Sequence, residues 1–340
     1  MVEVIIAFLY LSLLMYLLFG GADFGAGIIE LFTSNAKRER TRLLTYQAIG
    51  PIWEANHMWL IIAVVILFVG FPSIYSTVSI FLHIPLSLLL LGIIARGTAF
   101  IYRHYDPDKG SLQEVYNNIF VYSSFLTPLF LGIIAGTMIS GRIDLAATGF
   151  VDAYLHPWLG SFPLSVGLFT VAICGFLAAV FLIGEADSDQ DRATFRKKAL
   201  RMNVLTVLAG ALVFAAAAWE GIPILDQLLN HKASILALVL ASISLPLAWI
   251  FIKKNRHVHA RLLAGFQVTM ILFALFYALH PGFLIVRDSS VSLQEAAAPE
   301  KTMYVLGLAL LIGSVFILPS LFYLIYSFQK RPFDPIKDKK

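Results

Sequence analysis

The stretch FPLSVGLFTVAICGFLAAVFLI, residues 162–183, contains 22 consecutive positions without a charged side chain. An α-helix needs about 20 predominantly apolar residues to cross the hydrocarbon core of a bilayer. Polar and apolar residues do not alternate here as they do in a barrel strand, and backbone groups in hydrocarbon must find their hydrogen bonds within the segment. The stretch therefore predicts one membrane-spanning α-helix.

Eight further runs of this kind lie on either side of it, separated by short polar segments. Hydropathy windows of about 19 residues place the nine spans at residues 4–32, 48–71, 75–104, 115–139, 162–183, 202–219, 234–252, 262–280 and 303–328. We expect an all-α polytopic membrane protein with one membrane domain over residues 1–340. Spans 1–4 (about 4–139) and spans 5–8 (about 162–280) fit two four-helix bundles, and span 9 (about 303–328) is then a peripheral helix.

The composition excludes a sizeable soluble domain. Of the 340 residues, 59% are hydrophobic and 14% are charged, whereas soluble domains carry roughly 25% charged residues. Cys174 is the single cysteine, which excludes an intramolecular disulfide and a cysteine-built zinc or iron–sulfur site. The first apolar run begins with Glu3 instead of a basic segment and is too long for a signal-peptide core, so we expect it to be retained.

The distribution of Lys and Arg predicts the orientation. Of the 25 basic residues, 20 fall at one end of the predicted spans. These are Lys37, Arg38, Arg40, Arg42, Arg103, Lys109, Arg192, Arg196, Lys197, Lys198, Arg201, Lys253, Lys254, Arg256, Arg261, Lys330, Arg331, Lys337, Lys339 and Lys340. The other end has Arg142, Lys232, Arg287 and Lys301, and Arg96 lies within a span. Because cytoplasmic loops carry the excess of basic residues, the N-terminus is predicted outside and the C-terminus in the cytoplasm. The net charge of +4 therefore indicates no nucleic-acid partner.

Asp23, Glu54 and Arg96 lie deep inside the first three predicted spans. At about 1.5 Å per residue, Asp23 lies roughly 13 Å, Glu54 roughly 9 Å and Arg96 roughly 12 Å from the predicted cytoplasmic ends of their spans. Buried ionisable groups are costly unless they are paired or face a polar cavity, and consecutive spans are usually neighbours. Two interpretations follow: a structural ion pair between helices, or proton conduction from the cytoplasm.

The segment WEANHMWL, residues 53–60, is the densest polar and aromatic stretch in any predicted span. Glu54 and His57 are three residues apart and share a helix face, as do Trp53 and His57, so an acid and an imidazole could exchange protons there. Asn56 and Trp59 are expected to support them. The alternative is an interfacial tryptophan belt, which does not require Glu and Asn together.

The segment GGADFGAG, residues 20–27, has Gly21 and Gly25 four positions apart. Small residues at this spacing let a second helix approach closely, so packing explains both glycines. Packing does not explain Asp23, which needs a polar partner or water.

The histidine positions argue against haem ligation by this chain. Of eight histidines, only His57, His83 and His280 could lie within spans. A haem between helices usually needs two axial ligands at matched depth, and His57 lies near the inner face whereas His83 lies toward the outer one. Nucleophile elbows, phosphate-binding loops and HExxH zinc patterns are absent from the sequence.

Three segments together, GGADFGAG at 20–27, PIWEANHMWLI at 51–61 and RGTAFIYR at 96–103, resemble subunit II of cytochrome bd-type quinol oxidases. The resemblance is detailed over the N-terminal third and extends over the rest in length and helix count. The W-acid-x-N-x-x-W-L pattern at 53–60 is its most specific part.

This resemblance implies a larger subunit I that carries two b-type haems and one haem d and binds quinol. Together the two subunits would oxidise quinol and reduce O₂ to water in the plasma membrane of a bacterium or archaeon, without pumping protons. Subunit II would ligate no haem and no other metal and would help to supply cytoplasmic protons, with Glu54 as the residue on the proton path. Lipids and a small accessory transmembrane subunit are further expected partners.

The sequence departs from the family's pattern at two positions. Gly20 stands where the family often has a further Asp, and Ile101 stands where a carboxylate is common after the arginine of span 3. A second acidic relay is therefore in doubt, and Asp23 and Glu54 remain the acids to test.

Two other functions fit buried charges. A proton-coupled secondary transporter also places carboxylates in the membrane, usually in matching positions of two halves, but the acids here cluster in spans 1 and 2. A purely structural subunit would use the charges for assembly alone.

Overall fold

The computed structural model describes residues 1–50, 53–105, 112–186 and 188–330. Within these ranges, nine helices are long and apolar enough to cross a membrane, which confirms the predicted number of spans. Spans 1 to 9 cover Val2–Leu31, Trp53–Gly70, His83–Arg103, Leu112–Ser140, Ser161–Glu185, Asp189–Glu220, Lys232–Lys253, His257–Leu279 and Glu300–Leu321. The helices of spans 3 and 9 continue to Tyr105 and Lys330.

The structure corrects the predicted start of span 3. The run predicted as one helix over 75–104 is divided at Leu82 into a short helix, Pro72–Phe81, and the spanning helix His83–Tyr105. Pro85 explains the break, because a proline ring clashes with the carbonyl four residues earlier, which here belongs to Phe81. Two other short helices, Phe150–Tyr154 and Ile224–Asn230, lie between spans.

Two of the polar segments between the predicted spans form regular structure. The basic segment after span 1 forms the helix Asn35–Ile49, so the predicted start of span 2 at residue 48 is wrong, and among the described residues that span begins at Trp53. Between spans 8 and 9, Gly282–Val286 and Ser289–Ser292 form an antiparallel hairpin. Branched and aromatic residues in Phe283–Val286 favour a strand, and this short hairpin lies outside the spans of the helical membrane fold.

Loops predicted to be cytoplasmic contact one another at one end of the molecule. Arg40, after span 1, forms an ion pair with Asp191 at 2.9 Å. Arg196, after span 5, donates to the side chain of Asn255 in the turn after span 7 at 3.3 Å. Lys109 and the basic residues from Arg331 to Lys340, which belong to the same predicted side, lie outside the described residues.

Loops predicted to be external meet at the opposite end. Arg287 of the hairpin turn donates to Asp144 at 2.6 Å, and Arg142 donates to Glu220 at the end of span 6 at 3.0 Å. The backbone N–H of Ala146 and the Arg287 guanidinium hold the pKa of Asp144 below its ordinary value. The contacts at both ends group the loops as the charge distribution predicts.

Span 5 lies at the centre of the fold and span 9 at its edge. The apolar window of span 5 is 72% buried, against 6% for span 9. Span 5 packs against spans 1, 4, 6 and 8, whereas span 9 packs against spans 1 and 2. The spans of each predicted bundle pack together, and spans 1 and 4 join the two groups through span 5.

Spans 1 and 5 approach each other closely at Gly25. A Cβ atom added to Gly25 would lie 1.8 Å from the carbonyl oxygen of Cys174, and one added to Gly21 would lie 3.3 Å from the Cys174 sulfur. A side chain at residue 25 would therefore overlap backbone atoms. The small-residue pattern of span 1 faces span 5 at this point.

We predict that Gly25→Ala destabilises the protein because the new methyl group must push two backbones apart. Overpacking of this kind costs about 1–3 kcal/mol or more, which we expect as a lower thermal unfolding temperature and a lower yield of the purified membrane protein. Gly265→Ala is the matched control, because a Cβ there meets no atom within 4 Å. Equal stability of the two variants would contradict the packing argument.

We predict opposite labelling of two engineered cysteines in intact cells. Asp288, in the hairpin turn, and Glu39, in the basic helix, are both exposed, and the native Cys174 is buried. A membrane-impermeant maleimide should modify Asp288→Cys directly and Glu39→Cys only after permeabilisation. The reverse pattern would refute the predicted orientation.

Candidate functional site

Asp23 and Arg96 form a buried ion pair between spans 1 and 3. Both residues are 1% exposed. The Arg96 Nη2 donates to the Asp23 carboxylate at 2.7 Å and to the Asp23 carbonyl at 3.1 Å, and its Nε donates to the Ser124 hydroxyl at 3.1 Å. The two residues predicted at similar depth are therefore in direct contact.

His57 lies beside this pair on span 2. Its Nε2 is 3.8 Å from the second carboxylate oxygen of Asp23, which is longer than a hydrogen bond. Its ring packs edge-on against Phe24, with ring centres 5.6 Å apart, and against Trp53 at 6.4 Å. The structure thus brings His57 to Asp23 and Arg96 without a direct bond between imidazole and carboxylate.

Glu54 faces away from this cluster. It is exposed, and it makes no hydrogen bond or ion pair to any residue that the structure describes. Met58 and Ile61, four and seven residues later, are also exposed and continue the same face of span 2. The exchange predicted between Glu54 and His57 is therefore not made by a direct contact within the described chain.

The predicted supporting residues of span 2 differ in position. Asn56 and Trp59 are each 6% exposed, so both point into the protein. Trp53 is half-buried and lies over Gly97, where an added Cβ would be 3.3 Å from the indole ring. Trp53 also contacts His57, so it covers the cluster on its span 3 side.

A second buried ion pair lies two helical turns toward the predicted cytoplasmic end. The Glu30 carboxylate, which is fully buried, binds Arg103 at 3.2 Å and Arg42 of the basic helix at 2.9 Å. Arg103 was assigned above to the cytoplasmic loop, and the structure corrects this, because its side chain is fully buried. Arg42 is 25% exposed and connects this site to the surface.

The two ion pairs repeat the same geometry. Asp23 and Glu30 are seven residues apart in span 1, and Arg96 and Arg103 are seven apart in span 3, so each pair lies on one face of its helix. The Phe120 ring of span 4 lies between the two guanidinium groups, 5.0 Å from Arg96 and 4.0 Å from Arg103. This shared seven-residue spacing is the sequence signal that would have revealed Glu30 and Arg103.

No group of three or more His, Cys, Asp or Glu side chains within the described residues is arranged to hold a metal ion. The rings of Tyr16, Phe24 and Trp53 pack around the His57 imidazole, with ring centres 5.6–6.4 Å from its own. His83 and His280 are exposed, and the His83 Nδ1 lies 2.8 Å from the carbonyl of Ile80. These histidines do not fit a shared haem site inside this chain.

The family described as cytochrome bd terminal oxidase subunit II matches residues 1–328. The chain belongs to this family. It is therefore a subunit of a quinol:oxygen oxidoreductase of the respiratory electron transport chain, a complex that uses haems and quinol. Such a subunit forms a hetero-oligomer with subunit I in a membrane. Family membership removes the transporter alternative.

Individual relatives agree with this assignment. The chain is 25% identical to cytochrome bd ubiquinol oxidase subunit 2 of Bacillus subtilis over 315 residues, which cover 92% of this chain and 90% of that protein. It is 27% identical to cytochrome bd-I ubiquinol oxidase subunit 2 of Escherichia coli K12 over 200 residues, 57% of this chain and 52% of that one. The solved bd oxidase of Geobacillus thermodenitrificans shares the fold, with a TM-score of 0.78, 22% identity, and 97% and 99% of the two chains covered.

We predict that Glu30→Gln destabilises the complex, because it leaves the buried Arg103 without its carboxylate. Removal of one partner of a buried ion pair typically costs about 3–5 kcal/mol, which should reduce the assembled complex and its thermal stability. Adding Arg103→Met should restore part of the loss, because no buried charge then remains at that position. Asp189→Asn is the control, since its pair with Arg192 lies at the surface. A loss that is equal in the single and double variants would contradict this account.

Proposed function

We propose that this subunit carries protons from the cytoplasm to the oxygen-reducing centre of subunit I, with Glu54 as the carrier at the subunit boundary. The observation that supports this most strongly is the exposed carboxyl of Glu54 on an otherwise apolar face of span 2. Glu54 lies in the first turn of span 2, nearer the predicted cytoplasmic end than the roughly 9 Å expected from the sequence. A carboxyl at this boundary, beside exposed apolar side chains, is well placed to meet a polar partner. We assign that role to the surface of subunit I.

The charges around the two acids support different roles for them. Asp23 is compensated by Arg96 at 2.7 Å, whereas Glu54 has no cation partner among the described residues. An uncompensated carboxyl can bind and release a proton without breaking an ion pair. Glu54 therefore transfers protons, while Asp23 and Arg96 fix the position and polarity of the buried cluster next to His57.

We place the haems and the quinol site in subunit I. Reduction of O₂ to water consumes protons as well as electrons, and the haems there supply the electron transfer and oxygen binding. This chain offers no pair of inward-facing histidines at matched depth within its described part. Its contribution is then confined to proton supply and to support of subunit I, in the plasma membrane of a bacterium or archaeon.

We predict that Glu54→Gln, in the complex purified through a tag on this chain, lowers quinol-driven oxygen consumption about tenfold or more. A positioned proton-transfer group typically contributes 10²–10⁴-fold to a rate, and Gln retains the shape but binds no proton. Haem content, measured from the absorption spectrum of the copurified subunit I, should stay normal. Glu54→Asp should retain part of the activity.

The matched control is Glu114→Gln. Glu114 is also an exposed carboxyl in the first turn of a spanning helix at the predicted cytoplasmic end. Normal activity of Glu54→Gln in an intact complex would rule out the proton-path role and leave the purely structural subunit. Equal losses in both variants would show that any exposed carboxyl at this end matters, and would also contradict the specific role of Glu54.

A further inference from the structure

Three polar atoms without a hydrogen-bond partner among the described residues belong to side chains that pack at the ion pair of spans 1 and 3. They are the Tyr16 hydroxyl, the second carboxylate oxygen of Asp23 and the Nδ1 of His57. Tyr16 is 2% exposed and Asp23 is 1% exposed. The Tyr16 and His57 ring centres are 6.1 Å apart.

Tyr16 lies at the start of a π-helical segment of span 1. Residues Tyr16–Gly20 form a π-helical segment between the α-helices Val2–Met15 and Gly21–Leu31 of span 1. Such segments are rare and frequently occur at functional sites. The Tyr16 ring lies over Gly20, where an added Cβ would come within 2.9 Å of it. The glycine therefore provides the space that the tyrosine ring occupies.

Aromatic side chains pack around the Tyr16 ring. Phe24 meets the Tyr16 ring edge-on at 6.2 Å, and Trp59 belongs to the same buried cluster. An apolar side chain would satisfy this packing equally well, so the buried hydroxyl needs a separate explanation. Buried polar groups without a protein partner are commonly joined by internal water, which typically makes about three hydrogen bonds.

We propose that internal water binds between the Tyr16 hydroxyl, the free oxygen of Asp23 and the His57 imidazole, and that Tyr16 is a positioning residue for the proton path. The His57 Nε2 is 3.8 Å from the free oxygen of Asp23, which is too long for a direct hydrogen bond and leaves this contact to water. The His57 Nδ1, on the other side of the ring, also has no partner among the described residues and offers water a second contact. A hydroxyl donates and accepts at once, so Tyr16 can order the water without a change in its own charge. This inference rests on the proposed proton supply and extends it to a third residue.

The test compares Tyr16→Phe with Tyr10→Phe in the purified complex. The first change removes only the hydroxyl from the cluster, and the second removes one from the same span, where Tyr10 stacks on Phe276 with ring centres 4.3 Å apart. Tyr16→Phe should slow oxygen consumption roughly three- to tenfold, the factor that corresponds to one lost hydrogen bond. For Tyr16→Phe, the ratio of the oxygen-consumption rate in H₂O to that in D₂O should rise. The rate of anaerobic haem reduction by quinol should stay unchanged. Tyr10→Phe should match the wild type in all three measurements.

The outcomes separate this inference from the proposed function. If Glu54→Gln is impaired but Tyr16→Phe matches the wild type in rate and isotope effect, the role of Tyr16 is wrong and the proton supply stands. If Tyr16→Phe is slow with an unchanged isotope effect, the hydroxyl has only a structural role and the inference also fails. A high-resolution map of the wild-type complex provides an independent check, because density for water between the three atoms supports the proposal and its absence there overturns it.

Discussion

Two arginines of span 3 reach two carboxylates of span 1, and the arrangement of the first three spans depends on these contacts. Arg96 binds Asp23, and Arg103 binds Glu30. The two carboxylates are seven residues apart in span 1, and the two arginines are seven residues apart in span 3. In a low-dielectric interior, each of these charges would be costly alone, so the helices must keep both the register and the orientation that join them. Spans 1 and 3 run in the same direction, which is why the same offset produces both pairs.

Span 1 also meets the second helix group on a different face. Gly25 lets it lie against the backbone of Cys174 in span 5, the most buried of the nine spans. The close approach depends on van der Waals contact, since lipid provides no hydrophobic force that would drive apolar helices together. One helix therefore combines an electrostatic contact with span 3 and a backbone-to-backbone contact with span 5, and the π-helical segment Tyr16–Gly20 precedes both contacts in the chain.

This arrangement leaves the polar groups in two settings. Asp23, Arg96 and His57 are enclosed by aromatic rings, whereas Glu54 is exposed on the far side of span 2. An enclosed ion pair is well suited to keeping a fixed polar environment, and an exposed carboxyl within a span is well suited to meeting another subunit. In an enzyme that divides its chemistry between two chains, a proton-conducting subunit needs both settings.

The sequence by itself determined the number of spans, the grouping of loops at the two ends, and the depth at which Asp23 and Arg96 meet. These follow from local quantities, because bilayer thickness sets helix length and basic residues set the loop side. The helix break before His83 could also have been read from Pro85. The three segments at 20–27, 51–61 and 96–103 predicted an oxidase subunit through their resemblance to the family, and the family match confirms this prediction.

Tertiary structure alone decided which side of span 2 faces inward. Glu54 and His57 are three residues apart, yet one is exposed and the other lies beside Asp23, because rotation of the helix is set by its neighbours and not by its own spacing. For Glu30 and Arg103 the sequence offers the seven-residue spacing from Asp23 and Arg96, but only the tertiary structure shows their burial and the contact with Arg42 of the basic helix Asn35–Ile49. Contacts between elements distant in the chain depend on packing, which a single sequence does not specify residue by residue.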